Sequence, residues 1–415
     1  MKRVAVIGAG AAGLLAGAFA ARGGCRTEII ERNEKAGKKL FLTGKGRCNI
    51  TNSADRDEFM KAVLHNGRFL YSAFDNFFND DIINIINAYG VKTKLERGGR
   101  YFPESDKSSD VIKALLAFTQ RSGADILLNS RVSFVEKRRE EFIVHIEHQP
   151  DRTYDALIIA TGGLSYSSTG STGDGYRFAK SLGHTVLEAK PSLIPFETEE
   201  GWVSELMGLS LKNVTLRAYK KPKADGKKQR PVYEELGEML FTHFGVSGPL
   251  VLSASGYLAD DPKGARLEID LKPGLSPEQL DARLLRDFEK YKHKKLGNAL
   301  VELLPSRLID RIILESGIDP EKTVDNLTRE ERQALVSTLK GLKLTVKGVR
   351  PMEEAIITRG GIPIKEINPS TMESKLVPGL YFAGEVIDVD ACTGGYNLQV
   401  AWSTGAAAGR AVSEA

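Results

Sequence analysis

The hydrophobic and polar positions near the amino terminus follow the order strand, glycine turn, helix and strand. The apolar, β-branched run RVAVI leads into Gly8-x-Gly10-x-x-Gly13, an alanine-rich segment follows, and a second apolar run, CRTEII, ends at Glu31. In such a unit the first glycine permits a tight turn, the second lets a pyrophosphate approach the backbone, and the third lets helix and strand pack closely. The pattern therefore predicts a Rossmann dinucleotide turn, with the pyrophosphate at the N-terminus of the first helix.

The acidic residue at the end of the second strand narrows the choice of dinucleotide. The carboxylate of Glu31 can accept hydrogen bonds from ribose hydroxyl groups, whereas its charge repels a 2′-phosphate. The sequence therefore favours FAD or NAD over NADP as the ligand of this turn. The alternative is a plain glycine turn, against which the strand, the helix and the distal acid all argue.

Two later segments repeat the pattern of a strand that ends in glycine. ALIIATGG ends at Gly162 and Gly163, and LYFAGE ends at Gly384 and Glu385; both have the apolar character of short buried strands. The carboxyl ends of parallel strands meet at one edge of a sheet, and open α/β sheets bind their ligands at that edge. Three glycine-bearing strand ends far apart in sequence thus predict one long ligand across one sheet edge, and FAD is such a ligand.

The last segment of the chain predicts a helix of small residues. It spans about residues 398–412 and carries Gly405 and Gly409, one helical turn apart. Glycines at this spacing lie on the same face of a helix, so we expect that face to pack closely against the sheet.

The middle of the chain has a different pattern. Short alternating strands and turns predict a β-rich domain over residues 191–275, and helical periodicity predicts a helical subdomain over 276–345. The segment TVKGVRPMEEAIITRGGI then predicts strands that return to the first domain. We therefore expect an α/β fold in which an FAD-binding domain, residues 1–190 and 346–415, is interrupted by an inserted β-rich and helical domain.

Composition and charge limit the classes of protein. A chain of 415 residues exceeds what one hydrophobic core usually supports, and a formal charge of +4 argues against nucleic-acid and membrane partners. The sequence lacks a run of about 20 apolar residues, so it predicts no membrane span. Three sparse cysteines argue against a disulfide framework and for a reducing compartment, which favours a cytoplasmic location. No metal site is expected.

One cationic run departs from this balance of charge. KKPKADGKKQR, from Lys220 to Arg230, surrounds an Asp-Gly pair and is typical of a solvated hairpin tip. Contact with RNA is the alternative interpretation of the same residues.

The stretch FLTGKGRCNITN forms a basic, glycine-containing loop shortly after Glu31. We expect Gly44, Gly46 and Arg47 to hold the pyrophosphate or the flavin side of FAD, with Asn49 as a polar anchor and Lys39 sharing the negative charge. A solvated basic turn is the alternative. A Walker loop is excluded because its glycine–lysine spacing is absent from the sequence.

The same loop carries a cysteine. A thiol at Cys48, beside Arg47 and near a helix start, would have a lowered pKa and be reactive. Cys392 belongs to the other segment that we place near the flavin, so a redox pair of Cys48 and Cys392 is one hypothesis. The alternative is that these thiols are ordinary packing residues.

Few residues in the sequence are suited to handle a proton. Flavin carries the hydride itself, so the protein needs to position the substrate, exclude water and supply one proton. His243, in FTHFGVSGP, is the catalytic candidate because histidine titrates near neutral pH; a structural histidine is the alternative. Tyr396 and Asn397, at the start of the last helix, are expected to position the flavin, and that helix N-terminus to stabilise negative charge on the reduced ring.

Four motifs together resemble a known family. GKKLFLTGKGRCNITN, IIATGGLSYSSTGSTGDGYRFAKSLGH, GEMLFTHFGVSGPL and YFAGEVIDVDACTGGYNLQVAWSTGAAAG are similar to successive signatures of the BaiN-like bacterial flavoproteins. That family is labelled NAD(P)/FAD-dependent oxidoreductase, and some members carry bile-acid dehydro-reductase or aminoacetone-oxidase names. The resemblance covers essentially the whole chain and implies a Rossmann-like FAD domain of the glutathione-reductase type with an inserted domain. One position departs: Lys45 stands where the family loop commonly has its second glycine, which would strain the chain if that position needs a positive φ.

These observations assign a set of cofactor-binding residues around the three strand ends, the basic loop and the last helix. The expected contacts with FAD are Gly8, Gly10, Ala12, Gly13, Glu31, Arg32, Lys39, Thr43, Gly44, Gly46, Arg47, Cys48, Asn49, Val132, Thr161, Gly162, Gly163, Asp174, Gly384, Glu385, Gly395, Tyr396, Asn397 and Leu398.

The sequence thus predicts an FAD-dependent oxidoreductase that reduces an activated double bond in a small, mostly apolar organic substrate. Only one GxGxxG lies between a strand and a helix, so NAD(P)H is expected to dock transiently over the flavin and not in a second Rossmann domain. An oxidase that passes electrons to oxygen is the alternative within the class. An RNA-associated flavoprotein and a non-catalytic redox sensor are the alternatives outside it. Substrate identity, nicotinamide preference and oligomeric state stay open.

Overall fold

The structure is a computed structural model that describes residues 1–222 and 229–415. It divides into two compact units, of which unit 1 comprises Met1–Ser192 and Met352–Ala415, and unit 2 comprises Leu193–Pro351. The strands are β1 (Arg3–Ile7), β2 (Arg26–Ile30), β3 (Thr51–Asn52), β4 (Val63–His65), β5 (Thr93–Glu96), β6 (Arg100–Pro103), β7 (Asp125–Leu127), β8 (Val132–Arg138), β9 (Glu141–Ile146), β10 (Arg152–Tyr154), β11 (Ala156–Ile159), β12 (Leu187–Ser192), β13 (Phe196–Thr198), β14 (Ser210–Tyr219), β15 (Tyr233–Phe241), β16 (Gly245–Ser247), β17 (Arg266–Asp270), β18 (Leu342–Val349), β19 (Ile357–Gly361), β20 (Leu380–Phe382) and β21 (Asp390–Ala391).

The α-helices alternate with these strands in unit 1 and cluster late in unit 2. They are α1 (Ala11–Arg22), α2 (Lys38–Leu42), α3 (Arg56–Ala62), α4 (Tyr71–Asn76), α5 (Asn79–Ala88), α6 (Ser108–Arg121), α7 (Asp174–Ser181), α8 (Pro249–Leu258), α9 (Pro277–Lys290), α10 (Leu296–Ala299), α11 (Ser306–Glu315), α12 (Arg329–Lys340) and α13 (Tyr396–Glu414). Across the described ranges, no helix has both the length and the apolar character needed to cross a bilayer.

A parallel sheet forms the centre of unit 1. Its strand order is β20-β11-β1-β2-β7, and each neighbouring pair is parallel. Val4, Val6 and Ile158 are fully buried, as expected for strands covered by helices on both faces. The predicted Rossmann-type α/β fold is confirmed.

Helix α13 packs on α1 along a line of small residues. A Cβ placed on Gly405 would lie 2.4 Å from the carbonyl oxygen of Ala12, and one on Gly409 would lie 2.3 Å from that of Ala16. The prediction that these glycines pack against the sheet is therefore wrong about the partner. They bring two helices into backbone contact, because side chains larger than hydrogen do not fit between the helix axes at this distance.

Unit 2 contains a closed barrel of antiparallel strands in the order β13-β16-β15-β14-β17-β18. The helices α9 to α12 lie in sequence between β17 and β18. The predicted insertion of β-rich and helical structure is confirmed. The sequence predicts that residues 345–362 return to the FAD domain; their second half, with β19, does belong to unit 1, but the prediction is wrong for the part in β18. This strand pairs with β13 and β17, and it buries Leu342, Leu344 and Val346 in the core of unit 2. The pairing closes the barrel, and unit 1 resumes at Met352.

The phenylalanine-rich segment after the basic loop has the apolar spacing of helical core. The structure breaks it into α3, α4 and α5, with the short strand β4 between α3 and α4. Asp55 begins α3 by accepting a hydrogen bond from the backbone N–H of Glu58, an ordinary N-cap. Phe59 and Phe74 are buried and pack edge to face, with ring centroids 5.2 Å apart, so these aromatic residues belong to the core of unit 1.

The contact between α1 and α13 generates a stability prediction. Gly405→Ala should lower the free energy of unfolding by about 1–3 kcal/mol, because the added methyl group must push two backbones apart. Gly297→Ala in α10 is the matched control: its Cβ would meet Ile309 at an ordinary 3.5 Å, so helix propensity should keep stability equal or raise it by up to about 1 kcal/mol. Urea unfolding of both variants measures the difference; equal effects would contradict the packing argument.

Candidate functional site

Three glycine-bearing turns leave the sheet of unit 1 at the same level. In the strand register, Ile7 at the end of β1 is paired with Ile159 at the end of β11, which is paired in turn with Phe382 at the end of β20. The turns that follow begin at Gly8, at Thr161-Gly162-Gly163 and at Gly384. The prediction that these distant segments meet at one edge of one sheet is confirmed.

The first turn has the geometry that a dinucleotide needs. Gly8 has φ +104°, and a Cβ on Gly13 would lie 1.8 Å from the carbonyl oxygen of Gly8, so the turn and the helix touch backbone to backbone. At Gly10, by contrast, no atom of the described residues lies within 4 Å of the position that a Cβ would take. The open space therefore lies at the N-terminus of α1, where unpaired N–H groups and the helix dipole attract an anion.

Glu31 is held firmly at the end of β2. One carboxylate oxygen accepts from the backbone N–H of Ala9 at 2.8 Å, and the other accepts from the backbone N–H and side-chain amide of Asn33 at 2.9 and 2.7 Å. The side chain is thus fixed in direction, and the oxygen that accepts only from Ala9 keeps a free lone pair. Contact of Glu31 with a ribose hydroxyl group remains a prediction, and this geometry allows it.

Other predicted contacts near Glu31 are partners of one another. The guanidinium of Arg32 lies 3.1 Å from the carboxylate of Asp174 and donates to the hydroxyl of Thr172 at 2.7 Å. Val132 opens β8 and is buried. Arg32 and Asp174 therefore hold the loop before α7 against the end of β2, and their contact with the cofactor stays a prediction.

Lys39 and Glu385 form the centre of a polar network at the sheet edge. The Lys39 ammonium pairs with Glu385 and donates to Ser165 Oγ at 2.7 Å. Glu385 also accepts from Ser165 Oγ at 2.7 Å and from the backbone N–H of Thr358 at 2.8 Å. A Cβ on Gly163 would lie 2.4 Å from Thr358 Oγ1, so this strand end is packed tightly against the network. The charge of Lys39 is balanced by Glu385 within the protein, and its contact with FAD remains a prediction.

The basic loop has a left-handed backbone. Gly44, Lys45, Gly46 and Cys48 have φ values of 57°, 59°, 84° and 60°. Lys45 therefore occupies a position that does require a positive φ, which for a non-glycine residue costs about 1–2 kcal/mol. The departure from the family loop at this residue is a strained position and not a neutral substitution.

The guanidinium of Arg47 pairs with one carboxylate in the hairpin β5–β6 and with another in the loop that follows the hairpin. Its guanidinium lies 2.5 Å from Glu96 and 2.6 Å from Asp106, and stacks over the ring of Phe102 with 4.1 Å to the centroid. These ion pairs raise the pKa of Arg47 and lower those of both carboxyl groups. Arg47 clamps the loop in place, so its side chain does not present a free positive charge, and its contact with FAD remains a prediction.

Asn49 supplies the observation that points to a ligand at this loop. Within the described part of the chain its Oδ1 atom is buried and has no hydrogen-bond partner. A buried carbonyl oxygen without a donor costs roughly 1–3 kcal/mol, so such atoms are rare unless a ligand or water pairs with them. The backbone N–H of Asn49 would lie 2.9 Å from a Cβ on Gly44, which places this acceptor beside the left-handed run. An N–H or O–H group of FAD is a suitable donor.

The N-terminus of α13 approaches the same loop. A Cβ on Gly395 would lie 2.5 Å from the backbone of Thr51, and the amide of Asn52 donates to the carbonyl oxygen of Gly394 at 3.0 Å. The two helix N-termini, the left-handed loop and the orphan acceptor of Asn49 lie in one unit and fit FAD.

Thr43, another predicted contact of the cofactor, ends α2 by donating to the carbonyl oxygen of Leu40 at 2.7 Å.

The side chains that begin α13 contact protein groups. Asn397 accepts from the backbone N–H of Ala391 at 2.9 Å and donates to the carbonyl oxygens of Ala391 and Cys392 at 2.7 and 3.3 Å. Tyr396 packs edge to face on Phe59, with 4.6 Å between ring centroids. Asn397 thus fixes the loop before the helix. Direct contact of Tyr396, Asn397 and the half-buried Leu398 with the flavin stays a prediction.

The expectation of a lowered pKa at Cys48 is wrong. Cys48 is fully buried, and burial raises the pKa of its thiol to about 12, only partly opposed by a hydrogen bond with Thr43. The neighbouring Arg47 does not counteract this effect because it is occupied by Glu96 and Asp106. Among the described residues, neither Cys48 nor the half-buried Cys392 forms a disulfide bond.

His243 lies in unit 2, in the turn between β15 and β16, where its exposed ring packs on Phe244 with 5.0 Å between centroids. Its proposed proton transfer remains a prediction. In the cationic run, residues 223–228 lie outside the described residues, so the interpretation of that run also stays open. No cluster of metal-ligating side chains occurs among the residues that the structure describes.

Sequence reasoning missed two aspartates that precede α13. Asp388 pairs with His65 and accepts from the backbone N–H of Gly360, while Asp390 forms a buried ion pair with Arg359 at 2.9 Å. The alternation Ile-Asp-Val-Asp was available as a signal, because an acidic residue inside an apolar run needs a partner. The partners themselves come from β4 and β19, which are distant in sequence.

The chain is similar to known proteins over most of its length. The family profile described as "HI0933-like protein Rossmann domain" matches residues 2–411. The 3-dehydro-bile acid delta(4,6)-reductase of Clostridium scindens is 31% identical over 100% of both chains. The ribosomal RNA dihydrouridine synthase of Haemophilus influenzae is 34% identical over 98% of both.

A solved structure shows the same fold at lower identity. The 3-ketosteroid-delta4-(5alpha)-dehydrogenase of Rhodococcus jostii is 15% identical, with a TM-score of 0.52 over 99% of this chain and 97% of that one. At this identity the likeness concerns the fold alone.

The open space at Gly10 generates a binding prediction. Gly10→Ala should leave the stability of the apoprotein unchanged, because φ −86° suits any residue, but should weaken FAD binding at least about tenfold, or about 1.4 kcal/mol, by placing a methyl group where the pyrophosphate lies. Gly274→Ala, at an equally open position in unit 2, is the control and should change neither quantity. Fluorescence titration of each apoprotein with FAD measures the affinity. Wild-type affinity in Gly10→Ala would contradict this placement of the pyrophosphate.

The burial of Cys48 generates a reactivity prediction. Iodoacetamide in mildly alkaline buffer should modify the half-buried Cys392 first and Cys48 only after unfolding in urea, because a buried thiol of raised pKa is neither accessible nor ionised. Peptide mass spectrometry measures both rates in the same sample. Modification of native Cys48 at the rate of a free thiol would contradict the assignment.

Proposed function

The chain is an FAD-dependent oxidoreductase of the HI0933-like Rossmann-domain family, and we propose that it reduces a carbon–carbon double bond conjugated to a carbonyl group. In such a reaction hydride adds to the β carbon, and the negative charge that develops toward the carbonyl is removed by a proton at the α carbon. Reduced flavin supplies the hydride. The residues of the chain bind and orient the reactants, exclude water and deliver the proton.

The observation that carries the proposal is the reaction shared by the full-length relatives. A 3-dehydro-bile acid delta(4,6)-reductase acts on double bonds conjugated to a 3-keto group, and a dihydrouridine synthase saturates the C5–C6 bond of uracil, which is conjugated to the C4 carbonyl. The two substrates differ greatly in size and charge, yet the bond to be reduced has the same electronic character. Shared chemistry with different substrates is typical of one site on one fold.

The geometry of unit 1 supports a flavin that is held by its polar parts. The N-terminus of α1 suits the pyrophosphate, and the orphan Oδ1 of Asn49 suits a donor on the cofactor. The N-terminus of α13 suits the negative charge that a reduced ring carries, since a helix N-terminus stabilises an anion by roughly 0.3–1 kcal/mol or more when partly buried.

NAD(P)H is the hydride source that we propose. The sequence has one glycine turn of the dinucleotide type, and the cofactor that fits it is FAD. A nicotinamide must therefore reach the flavin from outside, transfer its hydride and leave before the acceptor binds. This order predicts ping-pong kinetics, in which one binding space serves both partners.

A uracil base in ribosomal RNA is the substrate that we favour. The relative from Haemophilus influenzae carries that activity in its name and matches this chain almost end to end. Lys220, Lys221 and Arg230 are exposed at the ends of β14 and β15, and cations of this kind contribute phosphate contacts. A small apolar keto compound, as predicted from the sequence, is the second candidate, favoured by the bile-acid reductase relative.

The proposal predicts two half-reactions that can be followed separately under anaerobic conditions. NADH or NADPH should bleach the flavin, and the reduced protein should then be reoxidised by ribosomal RNA that lacks dihydrouridine, with a gain of two hydrogen atoms on one uracil. The absorption spectrum and mass spectrometry of digested RNA measure these steps. Replacing Lys220, Lys221 and Arg230 by Gln should weaken RNA reduction and its dependence on salt, by about one unit of log–log slope for each phosphate that is no longer bound.

Lys113→Gln, on the exposed face of α6, is the control for a general effect of charge and should leave RNA reduction unchanged. Reoxidation by a 3-keto-4-ene steroid but not by RNA would select the second candidate. A flavin that neither nucleotide bleaches, or one that is reoxidised by oxygen alone, would contradict the proposal.

A further inference from the structure

A histidine and an aspartate meet beside the segment that joins the sheet edge to α13. His65 ends β4, which pairs with β21, and in that register His65 lies opposite Asp390. The Nε2 atom of His65 lies 3.2 Å from Oδ2 of Asp388. A pair of this kind is not needed to join the two strands, because β4 and β21 are already paired through their backbones.

The aspartate of the pair is fixed by the protein. Its side chain is 4% exposed, accepts from the backbone N–H of Gly360 at 2.9 Å through Oδ1, and accepts from the side-chain amide of Asn66 at 3.0 Å through Oδ2. The imidazole of His65 is 40% exposed. A rigid buried carboxylate therefore orients a histidine that reaches the surface of unit 1, as in the acid–base pairs of many enzymes.

The second ring nitrogen of His65 is available for another reaction partner. Nε2 faces Asp388, and across the part of the chain that the structure describes no protein group is within hydrogen-bonding distance of Nδ1. A histidine held through one nitrogen presents the other with a defined direction and tautomer.

The aspartate of the pair lies in the chain segment that connects two elements of the proposed flavin site. Asp388 lies between Gly384-Glu385, at the sheet edge, and Gly395, at the N-terminus of α13. Asn397 binds the backbone of Ala391 and so ties this connecting segment to the helix. Both ends of the segment belong to the surface that fits FAD.

We propose that His65, oriented by Asp388, is the acid that protonates the α carbon of the substrate during reduction of its double bond. The inference rests on the proposed function, since only a reduction of this kind needs such a proton. His65 is the catalytic residue in this assignment and Asp388 is its positioning residue.

Atoms and electrons balance in the proposed step. The hydride that reduced flavin would supply forms the C–H bond at the β carbon, while the electron pair of the double bond moves toward the carbonyl oxygen. That pair then takes the proton from Nδ1 of the imidazolium, which forms the C–H bond at the α carbon and leaves a neutral imidazole. Solvent water returns the proton to the exposed ring.

The groups around the ring raise the pKa of His65 above its ordinary value. Asp388 is the main cause of the raised pKa of His65; burial and the cation of Arg359 oppose it, while Asp390 adds to it. Burial alone would raise the pKa of Asp388, but hydrogen bonds from His65, Gly360 and Asn66 outweigh it and hold that pKa below its ordinary value. As the pH rises through the pKa of His65, the acid form is lost and protonation of the substrate should slow.

The experiment compares His65→Gln, Asp388→Asn and wild type as FAD-loaded proteins in the two half-reactions. Bleaching by NAD(P)H should be unchanged in His65→Gln, because that step needs no proton at a carbon atom. Reoxidation by the double-bond acceptor should slow by about 100-fold or more, and its decline at high pH should disappear. In Asp388→Asn that decline should move to lower pH.

A matched control separates the proposed role from the loss of any His–Asp pair. His293 in unit 2 also lies 3.2 Å from an aspartate, Asp325, but is 75% exposed. His293→Gln should leave both half-reactions as in wild type. NMR titration of the histidine rings in the oxidised FAD-bound protein supplies a readout independent of turnover: the pKa of His65 should lie above about 6.5 in wild type and fall in Asp388→Asn.

The outcomes distinguish the inference from the function on which it rests. If wild type is reoxidised by no double-bond acceptor, the proposed function fails and the inference with it. If wild type is reoxidised and His65→Gln matches it in rate and pH profile, the inference alone is wrong. Equal slowing of both half-reactions, or loss of FAD from the variant, would show that the pair is structural and would overturn the inference as well.

Discussion

Backbone contact around the first turn of α1 is the constraint on which the rest of unit 1 depends. Gly13 brings the helix onto the turn at Gly8, and Gly405 brings α13 onto the same turn from the other side. A Cβ on Gly384 would lie 2.9 Å from the side chain of Ala12, so the end of β20 reaches this point too. Segments from both ends of the chain thus meet at the N-terminus of one helix. The space at Gly10 stays open while the segments around it are in close contact with one another.

Two cations of the basic loop and the helix before it are held in ion pairs. Arg47 pairs with Glu96 and Asp106, and Lys39 of α2 pairs with Glu385, whereas the side chain of Lys45 is exposed. Backbone N–H groups and helix dipoles would add to the attraction for a pyrophosphate, because they are fixed in direction and need no reorganisation when the ligand arrives. The ion pairs hold the left-handed backbone that displays those groups, including the strained Lys45.

The strand ends and the dinucleotide turn could be predicted from the sequence because glycine spacing and apolar runs are local signals. Ala156–Ile159 and Leu380–Phe382 both have the apolar pattern of buried strands, and the parallel-sheet rule brings them together. Side-chain partners could not be predicted in the same way. Arg47 pairs with Glu96 of a hairpin, and His65 pairs with Asp388, which is more than half the chain away in sequence. No sequence periodicity relates either residue to its partner. The sequence pattern predicts the wrong domain for β18, because its alternation of apolar and polar residues fits a barrel strand and a strand at a sheet edge equally well.

The discontinuity of unit 1 has a consequence for biosynthesis. Domains tend to fold as they leave the ribosome, amino-terminal part first. Here the helix that packs on α1 is α13, and the barrel of unit 2 is translated between them. The nascent first half of unit 1 therefore keeps the face of α1 at Ala12 and Ala16 uncovered until α13 has been synthesised. Unit 2, whose strands and helices are contiguous, can fold during that interval, and the helix contact at the cofactor turn is complete only after α13 has emerged.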